Sequence, residues 1–296
     1  MYRAFPEAIW GSLSLILYFL NTVFWCIPLF ILAAAKAVVP MESWRRKCSR
    51  MLNTIAENWI WVNNQNQKLV GNTSWDVQGI EALERTDWYL VLANHQSWVD
   101  ILVLQRIFHR KIPFLKFFIK KELLWLPILG QAWWAMDFPF VKRYSKSYLQ
   151  KKPHLKGKDL EITRKACQKF KKIPISIMNF VEGTRFTHEK HRRQESPYPH
   201  LLRPKAGGVA LVLDSMAEQI HRVLDVTIVY PDGVSSFWAL LCGKIQNIKV
   251  RVRSLPVSSE LLGDYANDGQ FRSGLQHWLN SIWEEKNRHM EEMMTS

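Results

Sequence analysis

No charged side chain occurs between Glu7 and Lys36, and the run from Ile9 to Ala35 is rich in Leu, Ile, Phe and Trp. Such a segment has few ways to fold. As a helix it reaches about 40 Å, enough to cross a hydrocarbon core of about 30 Å. It lacks the basic start and small-residue cleavage site of a signal peptide, so it is expected to be retained. Pro28 interrupts it and leaves two readings: a kinked span, or a helix–break–helix that dips in and returns. Arg45, Arg46, Lys47 and Arg50 follow the run, against Arg3 alone before it. The positive-inside rule therefore puts the C-terminal side in the cytoplasm.

A stripe of Trp44, Cys48, Met51, Leu52, Ile55, Trp59 and Val62 comes next, spaced by three and four. That spacing predicts a helix, lying either on a membrane surface or in an ordinary core. The polar stretch from Asn63 to Asn72 reads as a linker. Beyond it, strands are expected at 75–79, 88–93, 136–141, 175–181, 226–230 and 244–255. Helices are expected from about 97 to 109, 158 to 172, 207 to 221 and 270 to 293. Alternating strands and helices imply an α/β domain over residues 73–296, with a mixed sheet flanked by helices. Residues 1–63 then form an N-terminal membrane helix or helix pair. The chain of 296 residues has ample material for a core.

A net charge of +14 implies an anionic partner: nucleic acid, anionic membrane or a phosphorylated substrate. Fourteen tryptophans fit residence at a headgroup layer, or a large aromatic core. Cys26, Cys48, Cys167 and Cys242 are scattered, with no metal-like or C-x-x-C spacing. Free thiols suit a reducing compartment. No metal site, phosphate loop or dinucleotide fingerprint is visible.

Asn94-His95-Gln96-Ser97-Trp98-Val99-Asp100 follows the apolar strand 88–93. A histidine and an aspartate five positions apart at a strand-to-helix turn can share one pocket, as a general base with an orienting carboxylate. His154 and Asp159 repeat the spacing in a basic loop, and that pair reads as chance. Phe180-Val-Glu-Gly-Thr-Arg185 also ends an apolar strand, where α/β sheets place ligand groups. Its glycine allows a close turn, and its arginine offers a planar fork for phosphate. Taken alone, Glu182 and Arg185 read as a structural ion pair.

Together the two motifs resemble the glycerolipid acyltransferase family. Its N-H-x-x-x-x-D block stands as Asn94, His95 and Asp100, and its F-x-E-G-T-R block as Phe180 to Arg185. Looser matches are Phe138 to Arg143 for the second block and Val226 to Pro231 for the fourth. Pro204-Lys-Ala-Gly-Gly208 stands before the latter. Asp137 and Pro139 depart from the usual apolar residues, and Pro231 falls late. The chain looks closest to a bacterial inner-membrane subgroup of lysophosphatidate acyltransferase-like proteins, with the catalytic domain facing the cytoplasm.

The resemblance implies transfer of a fatty acyl group from acyl-CoA or acyl carrier protein to the sn-2 hydroxyl of 1-acyl-sn-glycerol-3-phosphate. It implies no cofactor, and no nucleic acid partner. His95 and Asp100 would be catalytic. Arg143, Glu182, Gly183, Thr184, Arg185 and Lys205 would hold the acceptor. Another lysophospholipid acceptor is the nearest alternative. A lipid hydrolase using Ser97 is a further one, although no G-x-S-x-G elbow surrounds that serine, which suits a helix cap instead. A non-catalytic basic module is compatible with the charge, but nucleic-acid binding needs no embedded helix.

Overall fold

In the computed structural model, which describes residues 7–141, 164, 167, 170–171, 173–234 and 236–295, Trp88–Ala93 forms β2, with five of its six residues buried. Such an apolar run suits a strand covered on both faces. Ser176–Phe180 (β6) pairs with it in parallel on one side and Ile220–Val229 (β7) in parallel on the other. Leu115–Phe117 (β3) lies parallel on the outer edge of β6. Asn247–Pro256 (β8) runs antiparallel to β7, and Ser74–Gln78 (β1) lies parallel to β8. The six-stranded sheet is therefore mixed, in the order β1-β8-β7-β2-β6-β3. Ile119–Lys120 (β4) and Phe140–Val141 (β5) form a separate two-stranded ribbon.

Side chains of β2 alternate between two cores, as the period of a strand requires. Tyr89, Val91 and Ala93 face Val99–Phe108 (α3), through Val99, Val103, Leu104 and Ile107. Leu90 and Leu92 face Ala206–Met216 (α6) and Gly269–Thr295 (α8), through Val209, Leu213, Leu279 and Trp283. Shorter helices are Leu129–Ala135 (α4), His188–Gln194 (α5) and Phe237–Leu241 (α7).

Glu7–Val38 (α1) and Glu42–Val70 (α2) pack along one another outside α3. The expected linker at 63–72 is instead the last turns of α2. Two of its asparagines bond across to α1: Asn21 Nδ2 donates to Asn63 Oδ1 at 2.8 Å, and Asn66 Nδ2 to Ser14 O and Oγ at 3.1 Å. Polar composition there encodes a helix–helix seam. Within the stripe from Trp44 to Val62, Cys48 and Leu52 are wholly buried, Trp44, Ile55, Trp59 and Val62 are half-buried, and Met51 is exposed. Pro28 lies inside a continuous α1, which excludes the helix–break–helix reading. Contacts to α2 and its N-terminal turn on both sides of the proline, from Asn21 to Trp59 O and from Trp44 Nε1 to Ala35 O, hold the helix across the lost hydrogen bond.

The seam occupies the polar side of α1, through Ser14, Tyr18 and Asn21. Its apolar side faces outward, with Ile16, Phe19, Phe24 and Ile31 each more than half exposed. Other expectations differ, and the helix expected over 207–221 ends at Met216. The strand expected over 136–141 is reduced to its last two residues, because Asp137 takes a left-handed conformation (φ 59°) that ends the extended run. β7 begins at Ile220, six residues early, since polar exposed His221 and Arg222 conceal its first half. Arg3, Lys142, Arg143, His154, Asp159 and most of the helix expected at 158–172 lie outside the described residues.

Candidate active site

The site forms where β2 and β6 end side by side, with Ala93 opposite Phe180. Asn94 fastens this end to β7: its Nδ2 donates to Ile228 O and its Oδ1 accepts from Ile228 N, both at 2.9 Å. Asn94 is wholly buried, so loss of its amide would strand two buried backbone groups, each costing about 1–3 kcal/mol. The first asparagine of the block thus fixes where the following turn begins.

That turn is closed by Asp100. Its Oδ2 accepts from the backbone amides of Gln96 at 2.6 Å and Ser97 at 2.8 Å, and lies 2.8 Å from His95 Nδ1. A carboxylate can only accept, so Nδ1 carries the hydrogen and the lone pair of the neutral ring sits on Nε2. Asp100 is fully buried, whereas the His95 side chain is 13% exposed. The imidazole lies flat on the Phe180 ring, with centroids 3.8 Å apart and planes 13° from parallel. The ring is therefore held by an edge contact and by a face contact. Ser97 Oγ accepts from Val99 N at the entrance of α3.

The first and third blocks are bonded directly. His95 N donates to Glu182 Oε1 at 3.2 Å, and Phe186 N donates to His95 O at 2.7 Å. Gly183 closes the turn with its amide on Phe180 O at 2.8 Å and takes φ 72°, a left-handed conformation that favours glycine. Glu182 turns inward and is wholly buried. Its second oxygen accepts from Leu202 N at 3.2 Å. Lys205 N donates to Val181 O at 3.0 Å, so the Pro204–Gly208 element is tied to the same turn. The Lys205 side chain is exposed.

Arg185 points the other way. It is exposed, its guanidinium stands 4.8 Å from the centre of the Trp98 ring, and no ion pair joins it to Glu182. Thr184 Oγ1 and Arg185 O both accept from Lys190 Nζ at 2.9 Å, which moors α5 to the turn. Two residues that sequence reasoning did not single out complete the interior. Tyr230 hydroxyl donates to Asp100 Oδ1 at 2.6 Å. Lys286 of α8, wholly buried, lies 2.6 Å from Asp225 Oδ1 and donates to Val226 O at 2.6 Å. Tyr230 falls within the loosely matched fourth block, but nothing in a lone tyrosine after a strand marks its partner.

Burial pushes the Glu182 carboxyl from 4.5 up to about 8. The two amide donors and the nearby Lys286 ammonium oppose that rise, and the Asp100 charge adds to it. A carboxyl raised in the folded state stabilises the fold below its ordinary value, and that stability is lost as pH rises towards 8. Glu182→Gln removes the titration but forfeits one amide hydrogen bond at every pH. Thermal unfolding of the variant is expected to change less between pH 5 and pH 8 than that of the parent. Parallel curves for the two proteins would show that Glu182 does not titrate in this window.

A family model described as Acyltransferase matches residues 74–231, just over half of the chain and the segment that holds all of these turns. The chain belongs to the acyltransferase family. It is 26% identical over 216 residues to 1-acyl-sn-glycerol-3-phosphate acyltransferase delta of Homo sapiens, covering 69% of this chain and 52% of that protein. It is 25% identical over 234 residues to the epsilon protein of Mus musculus, covering 70% and 58%. The chain thus spans about half the length of the curated relatives it matches. Among solved structures, the 1-acyl-sn-glycerophosphate (LPA) acyltransferase PlsC from Thermotoga maritima aligns over 98% of this chain and 99% of its own. The TM-score is 0.58 at 18% identity, a likeness of fold. It extends the correspondence beyond the matched segment, to α1, α2 and α8.

Proposed function

We propose that this acyltransferase moves a fatty acyl group from a thioester, acyl-CoA or acyl carrier protein, to the sn-2 hydroxyl of 1-acyl-sn-glycerol-3-phosphate. The observation that carries the reading is the His95–Asp100 pair, with Nδ1 on a buried carboxylate and the ring partly exposed at the end of the sheet. Nε2 takes the proton of the acceptor hydroxyl as its oxygen attacks the thioester carbonyl. The new C–O bond forms, the C–S bond breaks, and the departing thiolate takes up that proton. Asp100 holds the tautomer and stabilises the imidazolium. The thioester is already activated, so no protein nucleophile is required. Ser97 suits a helix entrance better than a hydrolase nucleophile, because its Oγ is engaged with Val99 N.

Arg185 at the rim is the phosphate anchor in this reading, and its contact with Trp98 pre-orients the guanidinium. Arg143 and Lys205 are further candidates for the same headgroup. Glu182, buried with both oxygens on backbone amides, serves by holding the His95 turn rather than by touching the acceptor.

Membrane association follows from α1, the one described helix long and apolar enough to cross a bilayer. Its outer face is apolar, yet its inner face runs along a helix that carries Arg45, Arg46, Lys47, Arg50 and several asparagines. Pulling that pair through hydrocarbon together is costly. The reading favours α1 lying in the interface on the cytoplasmic side of a bacterial inner membrane, with exposed Trp125 and Trp134 beside it.

The test is a labelled acyl thioester offered to purified membranes with a panel of lysophospholipids. Lysophosphatidate is expected to be acylated first. Arg185→Ala is expected to raise its KM roughly ten- to hundredfold, the size of a lost charged hydrogen bond, with a smaller effect on acceptors lacking a phosphomonoester. Equal use of all headgroups by both proteins would defeat the assignment of the acceptor.

A further inference from the structure

We propose that Tyr230 is a positioning residue for the catalytic base: its hydroxyl fixes the free oxygen of Asp100 and thereby sets how strongly that carboxylate holds the His95 ring. The inference rests on the His95–Asp100 mechanism above and extends it to a group from another part of the fold. Asp100 Oδ2 is fully occupied, by His95 Nδ1 and by the amides of Gln96 and Ser97. Those three donors define a point, and the carboxylate plane can still rotate about it. Oδ1 is buried and accepts from Tyr230 hydroxyl at 2.6 Å. The fourth bond removes the rotation.

The fold delivers Tyr230 to this place through strand register. Ala93 at the end of β2 is level with Val226 of β7, so β7 runs on for three residues after β2 has turned away. The Asn94–Ile228 clasp holds that extension against the turn. Tyr230 then returns over residues 95–100, with 5% of its surface exposed. Among the described residues, other charged or titratable groups near the pair are few. Glu182 reaches His95 only through the backbone, Lys286 stands behind Glu182, and Arg185 lies beyond Trp98 at the rim. Burial and the adjacent Asp100 charge push the tyrosine hydroxyl well above its ordinary range, so it remains a donor at any working pH.

Tyr230→Phe keeps the ring and removes the donor. With one donor fewer, Asp100 retains more negative charge towards His95 and holds the imidazolium proton more tightly. The rising limb of the pH–rate profile is expected to move to higher pH, and kcat to fall roughly ten- to hundredfold, with KM for lysophosphatidate little changed. Fluorotyrosine placed at 230 keeps the shape and donates more strongly, so the limb is expected to move to lower pH. Comparison with the parent on one substrate cancels titration of the acceptor phosphate. A purely structural role would lower the yield or the Tm of the variants and leave the limb in place, and that outcome overturns the proposal. His95→Ala is measured alongside. If it retains transfer, the base mechanism itself fails; if it is inactive while both Tyr230 variants keep the parental limb, only the role of Tyr230 fails.

Discussion

Replacing His95 by alanine is expected to lower acyl transfer by about 10²- to 10⁴-fold or more, the usual contribution of a positioned general base. The protein is expected to stay folded and membrane-associated. The reason lies in how Asp100 is satisfied. Without the imidazole, its carboxylate still accepts from Gln96 N, Ser97 N and Tyr230 hydroxyl, so no buried charge is left unpaired. The turn is also held from outside by Glu182 on the residue 95 amide and by Phe186 N on its carbonyl, neither of which involves the ring. Loss of the ring leaves a gap over Phe180 that opens to the surface, a mild defect beside a closed cavity. Single-turnover rates with saturating thioester, set beside circular dichroism and membrane sedimentation, make the comparison. Turnover like that of the parent would remove the imidazole from the mechanism.

The largest effect on stability is expected at Lys286, far from the family motifs in sequence. Its ammonium is wholly buried, with Asp225 Oδ1 and Val226 O both at 2.6 Å and Thr227 Oγ1 at 3.3 Å. Burial lowers its pKa, and Asp225 pushes it back. Asp225 is equally buried and also accepts from Arg253, which pairs in turn with Glu285. Removing one member of a buried pair typically costs about 3–5 kcal/mol, because the other is left uncompensated. Lys286→Ala is expected near the lower end, since Arg253 keeps part of the compensation. Lys286→Met fills the space and separates the lost charge from the lost volume. Urea unfolding measures both. A loss below about 1 kcal/mol, the scale of an exposed pair, would mean that water reaches this cluster.

Legibility in the sequence followed how local each signal was. β2 was readable to the residue because six consecutive residues, five of them buried, leave no helical alternative. The contact between His95 and Asp100 was readable because the turn that joins them is closed by its own backbone amides, within five residues. Tyr230 and Lys286 were invisible because they reach their partners across 130 and 60 positions of chain, through sheet register and helix packing that no window contains. The end of α2 was misread for a related reason. Asn63 and Asn66 looked like solvent-facing linker residues until α1 supplied Asn21 and Ser14 as partners. In the same way Glu182 and Arg185, three positions apart, read as a pair, yet the left-handed turn at Gly183 sends one inward and the other to the rim.

The asparagine seam between α1 and α2 also works as a ruler. Greasy helices slide past one another at little cost, but Asn21 on Asn63 and Ser14 on Asn66 match at one setting, and a slip of one turn would leave four polar groups facing methylenes. The outer face of α1 is thereby held in one register on α2, and under the proposed membrane role the depth at which that face meets a bilayer is gauged by side-chain teeth and not by the slack of a tether.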